Sequence, residues 1–142
     1  MTGFITVDGA HYLLNLMTAG ETALNSYYLA LINGASPGIS AYGTELEEPS
    51  DSGYQRSRYE NLSGNWMIVN GVLQNVYQIS FVSPLVSWGY VRHWALCESI
   101  DGGRVFAAGD INPILPLVGD VLYFPAGSIT LEFSLASWTA LT

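Results

Sequence analysis

No lysine occurs in this chain, and its four arginines face twelve carboxylates, a formal charge of −8. Proteins hold phosphate backbones with clustered cations that displace counterions, so no nucleic-acid partner is expected. Anionic membrane surfaces are disfavoured for the same reason. The one cysteine, Cys97, excludes an internal disulfide and a cysteine-based zinc site. No apolar run reaches the roughly 18 residues of a membrane span. The N-terminus lacks the basic start and apolar stretch of a signal peptide. Charged residues make up only 11% of the chain, where about 25% is typical. A lone soluble monomer covers its surface with more charge than that. Part of the surface is therefore expected to be buried against copies of the chain or other proteins.

Catalytic signatures are missing as well. There is no Gly-x-Ser-x-Gly elbow, no phosphate-cradling glycine loop and no His-Glu-x-x-His helix. Cys97 and His93 stand four apart, two pleats along a strand face, too far for a nucleophile and its base. Cys97 reads as a small buried hydrophobe. His11 and His93 have no fixed spacing that would mark a metal. Glu98, Asp101, Asp110 and Asp120 could in principle pair as glycosidase carboxylates, but all four stand beside turns, where aspartate is at home without catalysis. No enzyme activity, cofactor or metal is expected.

What is present is a succession of short strands. From Tyr90 to Cys97 the chain alternates. Val91, His93, Ala95 and Cys97 fall on one face, and Tyr90, Arg92, Trp94 and Leu96 on the other. Bulk on both faces marks a strand inside a sandwich or at a partner surface. Asn70-Gly71 between Trp66–Val69 and Val72–Tyr77 specifies a two-residue hairpin. Tyr27–Ile32, Ile79–Phe81, Arg104–Ala108, Val121–Phe124 and Ile129–Phe133 read as further strands. Residues 109–120, with Pro113 and Pro116, read as a connection or an edge.

Met1 to Val7 reads as a short apolar arm. Asp8 could cap a helix over Gly9 to Thr18, with Gly20 as its stop. Ala10, Leu13, Leu14 and Met17 form its apolar stripe, which reads first as core packing and second as a docking face. The expected fold is mainly β, an antiparallel β-sandwich of seven or eight strands with one N-terminal helix. Residues 1–142 form one domain: 1–20 the arm and helix, 134–142 an uncharged apolar tail packed home or docked on a neighbour.

Candidate binding residues are few. Glu45, Glu47, Glu48 and Asp51 crowd one loop, but their spacing fits no calcium pattern and reads as a solvated acidic loop. Arg56 and Arg58, two apart on one strand face, pair locally with that loop or hold an anionic ligand. Trp88, Tyr90 and Trp94 could form a flat platform for a host glycan, against the plainer reading of aromatics in a core or interface. Leu13, Leu14, Met17, Arg92 and Trp138 are the candidate assembly residues.

The order of motifs resembles a family of small tailed-bacteriophage virion proteins, often labelled phage tail fibre proteins. The resemblance spans about residues 10–133. It rests on Tyr28-Leu29-Ala30-Leu31 after the helix, Gly53-Tyr54-Gln55-Arg56 after the acidic loop, and Trp88-Gly89-Tyr90-Val91-Arg92-His93. Gly119-Asp120, Phe124-Pro125-Ala126-Gly127 and the strand from Ile129 to Phe133 complete it. The chain departs from the family in its Asn-containing hairpin, its Pro-containing 109–120 segment and its Trp138 tail. The resemblance implies a non-enzymatic structural component of the virion, assembled in the host cytoplasm. Its partners would be copies of itself and other virion proteins. It favours a tail or fibre module, with a capsid decoration protein on the head or a glycan-binding attachment module as alternatives.

Overall fold

The computed structural model describes residues 2–132. Its elements in chain order are β1 (Thr2–Ile5), α1 (Val7–Met17), β2 (Ser26–Ile32), β3 (Ser57–Glu60), β4 (Trp66–Val69) and β5 (Val72–Asn75). There follow β6 (Ile79–Ser80), β7 (Val91–Cys97), β8 (Val105–Ile114), β9 (Tyr123–Phe124) and β10 (Thr130–Glu132). Eight strands form one sheet in the order β3-β2-β7-β8-β1-β10-β5-β4, and β6 pairs with β9 in a small ribbon. Every pairing is antiparallel except β1 with β10.

The fold is mainly β with one N-terminal helix, as expected. Its layering comes from a single curled sheet rather than from two separate ones. The outermost strands, β3 and β4, are joined by only residues 61–65, a span of at most about 20 Å. The edges must therefore approach each other. Tyr59 of β3 and Trp66 of β4 meet edge to face at 4.9 Å between ring centroids. The Tyr59 hydroxyl donates to the Asn65 carbonyl and accepts from the amides of Val76 (3.2 Å) and Tyr77 (3.3 Å).

Leu29, Leu31, Tyr59, Ile79, Trp88, Trp94, Leu96, Phe124 and Leu131 converge on one apolar cluster, the inner side of the curl. Ala30, Ile32, Ala95, Cys97, Val105 and Ala108 form a second cluster on the other side of β2, β7 and β8. β7 is thus buried on both faces. One detail of its alternation is different. The register with β8 shifts between Val91 and His93, and Val91 joins the cluster of Trp94 and Leu96 instead of following Ala95 and Cys97. Extra residues on β8 take up the shift, and Pro113 sits among them, where no ladder hydrogen bond is required of it. That is why β8 runs on to Ile114 where a connection was expected from 109.

Trp94 dictates two glycines. Its pair partner is Gly109, whose own partner on the next strand is Gly3. A Cβ on Gly109 would come within 2.6 Å of the indole nitrogen, and one on Gly3 within 2.5 Å of the ring carbons. The indole lies across bare backbone.

The N-terminal segment is no loose arm. β1 is inserted between β8 and β10 in the middle of the sheet. Thr6, not Asp8, caps α1, accepting from the Gly9 amide at 3.0 Å. Asp8 lies in the first turn, where the helix dipole favours a carboxylate. At the other end the left-handed residue is Ala19 (φ 57°), one before the expected Gly20. The hairpin turn is as expected, with positive φ at both Asn70 (51°) and Gly71 (78°).

Candidate docking surface

The polar side chains fasten loops to this frame. Arg56 precedes β3 and is buried, so it does not share a strand face with exposed Arg58. A guanidinium has five N–H donors, and Arg56 spends them all. Nε donates to Glu48 Oε1 (2.9 Å). Nη1 donates to the carbonyls of Ser99 and Gly102 (both 2.8 Å), and Nη2 to the Gly43 carbonyl (3.1 Å) and Glu48 Oε2 (3.0 Å). No donor remains for an anionic ligand, and local pairing with the acidic loop is what the structure holds. Arg104 bridges Glu21 and Glu98, and Arg58 lies 3.7 Å from Glu60 at the surface.

Asp51 is a second fastening. Its Oδ1 accepts from the Gly53 amide (2.9 Å). Its Oδ2 accepts from the amides of Leu85 (2.8 Å) and Val86 (3.3 Å) and from the Trp88 indole (2.8 Å). The Gly53 bond chiefly, opposed by burial and helped by the other three, holds its carboxyl down at about 2. The acidic loop is therefore structural at Glu48 and Asp51, and Glu45 accepts from the Tyr42 amide.

The segment that Asp51 holds lies against residues 115–121. The Trp88 amide donates to the Pro116 carbonyl (3.3 Å) and the Gly119 amide to the Pro84 carbonyl (3.2 Å). Asp120 Oδ2 accepts from the Leu117 amide at 2.8 Å and closes that turn. With their backbones so tied, Val82, Leu85, Val86, Leu117, Val118 and Val121 all turn their side chains outward, Val121 to 75% exposure. They form an apolar rim. One residue beyond the Val91–Ile114 pair stand Tyr90 and Leu115, both exposed. Beside them Arg92 lies over the Tyr90 ring at 5.5 Å from its centroid. Among the described residues Arg92 is the arginine with no carboxylate partner.

The sequence-predicted residues divide accordingly. Leu13, Leu14 and Met17 are exposed, Met17 to 83%. The helix buries Gly9 and Tyr12 instead, with Tyr12 stacked on Phe106 at 4.6 Å, so the stripe is an open face and not core. Trp88 and Trp94 are 3% and 0% exposed. They offer no flat face to a sugar, and only Tyr90 of the expected glycan platform is open. Trp138 lies outside the described residues. The rim from Val82 to Val121 was not singled out in the sequence; its signal was a run of large apolar residues beside Pro84, Pro116 and Gly119.

Cys97, His93 and Glu98 each have a structural setting. Cys97 is buried, and burial pushes its thiol up to about 12, which makes it unreactive. His93 Nδ1 lies 2.8 Å from Asp110 Oδ1, and Asp110 is a strand residue rather than a turn residue. Glu98 is tied to Arg104.

A search of the curated proteins finds no match to this chain. Residues 8–132 match a protein family described as Podophage GP4 fiber I protein gp80. That span runs from the first turn of α1 to the last residue of β10 and takes in every motif of the expected resemblance except Phe133. The chain belongs to this bacteriophage fibre-type structural protein family.

Proposed function

We propose that this protein is a non-enzymatic fibre-type subunit of the virion. It associates with copies of itself and docks on another virion protein through the rim at 82–90 and 115–121. The observation that supports this is the rim itself. Six large apolar side chains are held outward on loops whose backbones are fastened by Asp51, Asp120 and inter-loop bonds. Large apolar side chains exposed on neighbouring segments mark interaction sites, and a fixed backbone lowers the ordering cost of binding. Arg92 over Tyr90 at its margin supplies the arginine and aromatic contacts enriched at interfaces. The family name favours a fibre position on the tail over a decoration position on the head. Assembly in the host cytoplasm, with no nucleic-acid or membrane contact, follows from the same reading. Host-glycan binding has less support, because two of its three aromatic residues are buried.

The test is the mass in solution by light scattering, for the parent and for a Leu117→Asp/Val121→Asp variant. A parent oligomer that dissociates in the variant is expected. A parent that stays monomeric and ignores other virion proteins would sink the proposal. Immunogold labelling of particles separates tail from head.

A further inference from the structure

A second apolar surface lies away from the rim, as a groove between α1 and the β4–β5 hairpin. Its volume is about 470 Å³, within the range that ordinarily encloses an apolar group. Ile5, Leu13, Ile68, Leu73 and Phe106 line it. The two tyrosine hydroxyls at its wall satisfy each other, Tyr12 with Tyr27 at 3.1 Å. Neither arginine nor lysine enters the lining, so nothing in it calls for an acidic partner.

Glu132 belongs to the same lining and pairs with Val72, next to the Asn70-Gly71 turn. The chain therefore leaves β10 at the groove's edge with ten residues to follow, Phe-Ser-Leu-Ala-Ser-Trp-Thr-Ala-Leu-Thr. These carry no charge, and four are large and apolar: Phe133, Leu135, Trp138 and Leu141. Ten residues reach at most about 33 Å when extended. A segment tethered at the mouth of a groove is present there at an effective concentration in the millimolar range. A second copy or a free apolar ligand has no such advantage.

We propose that residues 133–142 seat in the groove between α1 and the β4–β5 hairpin of their own chain, with Trp138 as the anchor. This seat covers the apolar lining of the groove and leaves the rim exposed. It does not depend on what the rim binds, since none of the groove's lining comes from residues 82–90 or 115–121.

The test uses the full chain carrying Leu13→Cys with Trp138→Cys, and a second variant with Leu135→Cys in place of Trp138→Cys. Native Cys97 is buried and does not compete. A short bismaleimide is expected to join the two new thiols in at least one variant, with the product at the mass of a single chain. No cross-link in either variant, or cross-links only at twice that mass, overturns the proposal. Replacing anchor residues could itself free the tail, so Ile68→Asp supplies an independent reading. Ile68 is exposed and its change spares the core. Chymotryptic cleavage within 133–142 is expected to rise about tenfold over the parent, because proteolysis follows the population of the open form. Equal cleavage rates in parent and variant would overturn the seat.

Discussion

Arg56 and the apolar rim use loops in opposite ways. At Arg56 three segments, around Gly43, Glu48 and Ser99–Gly102, are drawn onto one buried cation until no donor is left. At the rim two segments are fastened by carboxylates and backbone bonds, but their side chains stay outside and apolar. The difference teaches how a chain with so little charge is organised. Two of its four arginines, buried Arg56 and partly buried Arg104, serve with the carboxylates they hold as struts between segments. On the proposed reading recognition falls to hydrophobic surface, and among the described residues Arg92 is the arginine with no carboxylate partner.

The contrast breaks first if Arg56 is dispensable. Arg56→Met leaves Glu48 without its cation and strands three carbonyls. Removing one partner of a buried pair costs about 3–5 kcal/mol, to be read as a lower urea midpoint. Arg56→Lys should recover only part, because an ammonium cannot reproduce the five-donor fork. Parent-like stability in either variant would show that the loops hold without the strut. A smaller loss is expected from Gly109→Ala. The new methyl meets the Trp94 indole with nowhere to move, and overpacking of this kind costs about 1–3 kcal/mol. Since the rim lies elsewhere, the association of whatever remains folded should match the parent, as sedimentation would show.

Much of this fold was legible, and the failures share a cause. Asn70-Gly71 announced its hairpin because a local backbone requirement, positive φ twice, selects those residues. β7 was readable because both of its faces are filled. The N-terminal segment was not, since Thr2–Ile5 becomes a central strand only by pairing with residues more than a hundred positions away. The helix stripe misled for a related reason. Leu13, Leu14 and Met17 have the correct spacing, but which side of a helix is buried depends on what it meets, and α1 meets Phe106 through Tyr12. A platform of Trp88 and Trp94 stays open beside the plainer reading of packed aromatics because aromatic content is visible in a sequence and burial is not; both are buried. The rim escaped because its members come from two segments joined only by hydrogen bonds between loops.

Asp51 offers a gentler way to separate the rim's backbone from its side chains. Its folded carboxyl titrates at about 2, below the ordinary 3.8. A depressed carboxylate contributes stability that is complete above its unfolded value. That stability is lost as the pH falls toward the folded value. The attachment of residues 84–88 should therefore weaken between about pH 4 and pH 2. Glu21 and Glu98, held low by their bonds to Arg104, titrate in the same direction. The informative quantity is thus the difference between parent and Asp51→Asn. Hydrogen exchange at the Leu85 and Val86 amides should be faster in the variant at neutral pH, and the two proteins should converge in acid. A gap between them that persists unchanged to pH 2 would mean that these amides are protected by something other than the carboxylate.

The smallest effect on folding should come from the rim itself. Val118→Ser and Val121→Ser replace exposed side chains away from any cap or buried pair, and such changes stay within about 0.5 kcal/mol. If the rim only covers the molecule's end, association should be as indifferent as stability. If it is the contact surface, the two properties part: the urea midpoint holds while dissociation becomes faster and the oligomer weakens. Arg92→Gln then sharpens the comparison from the other side. It removes an exposed charge that lies over the Tyr90 ring and has no carboxylate partner among the described residues, so it should leave stability nearly alone and reduce the rate of association more at low salt than at high. A loss of stability at Arg92 equal to that at Arg56 would erase the distinction between struts and surface.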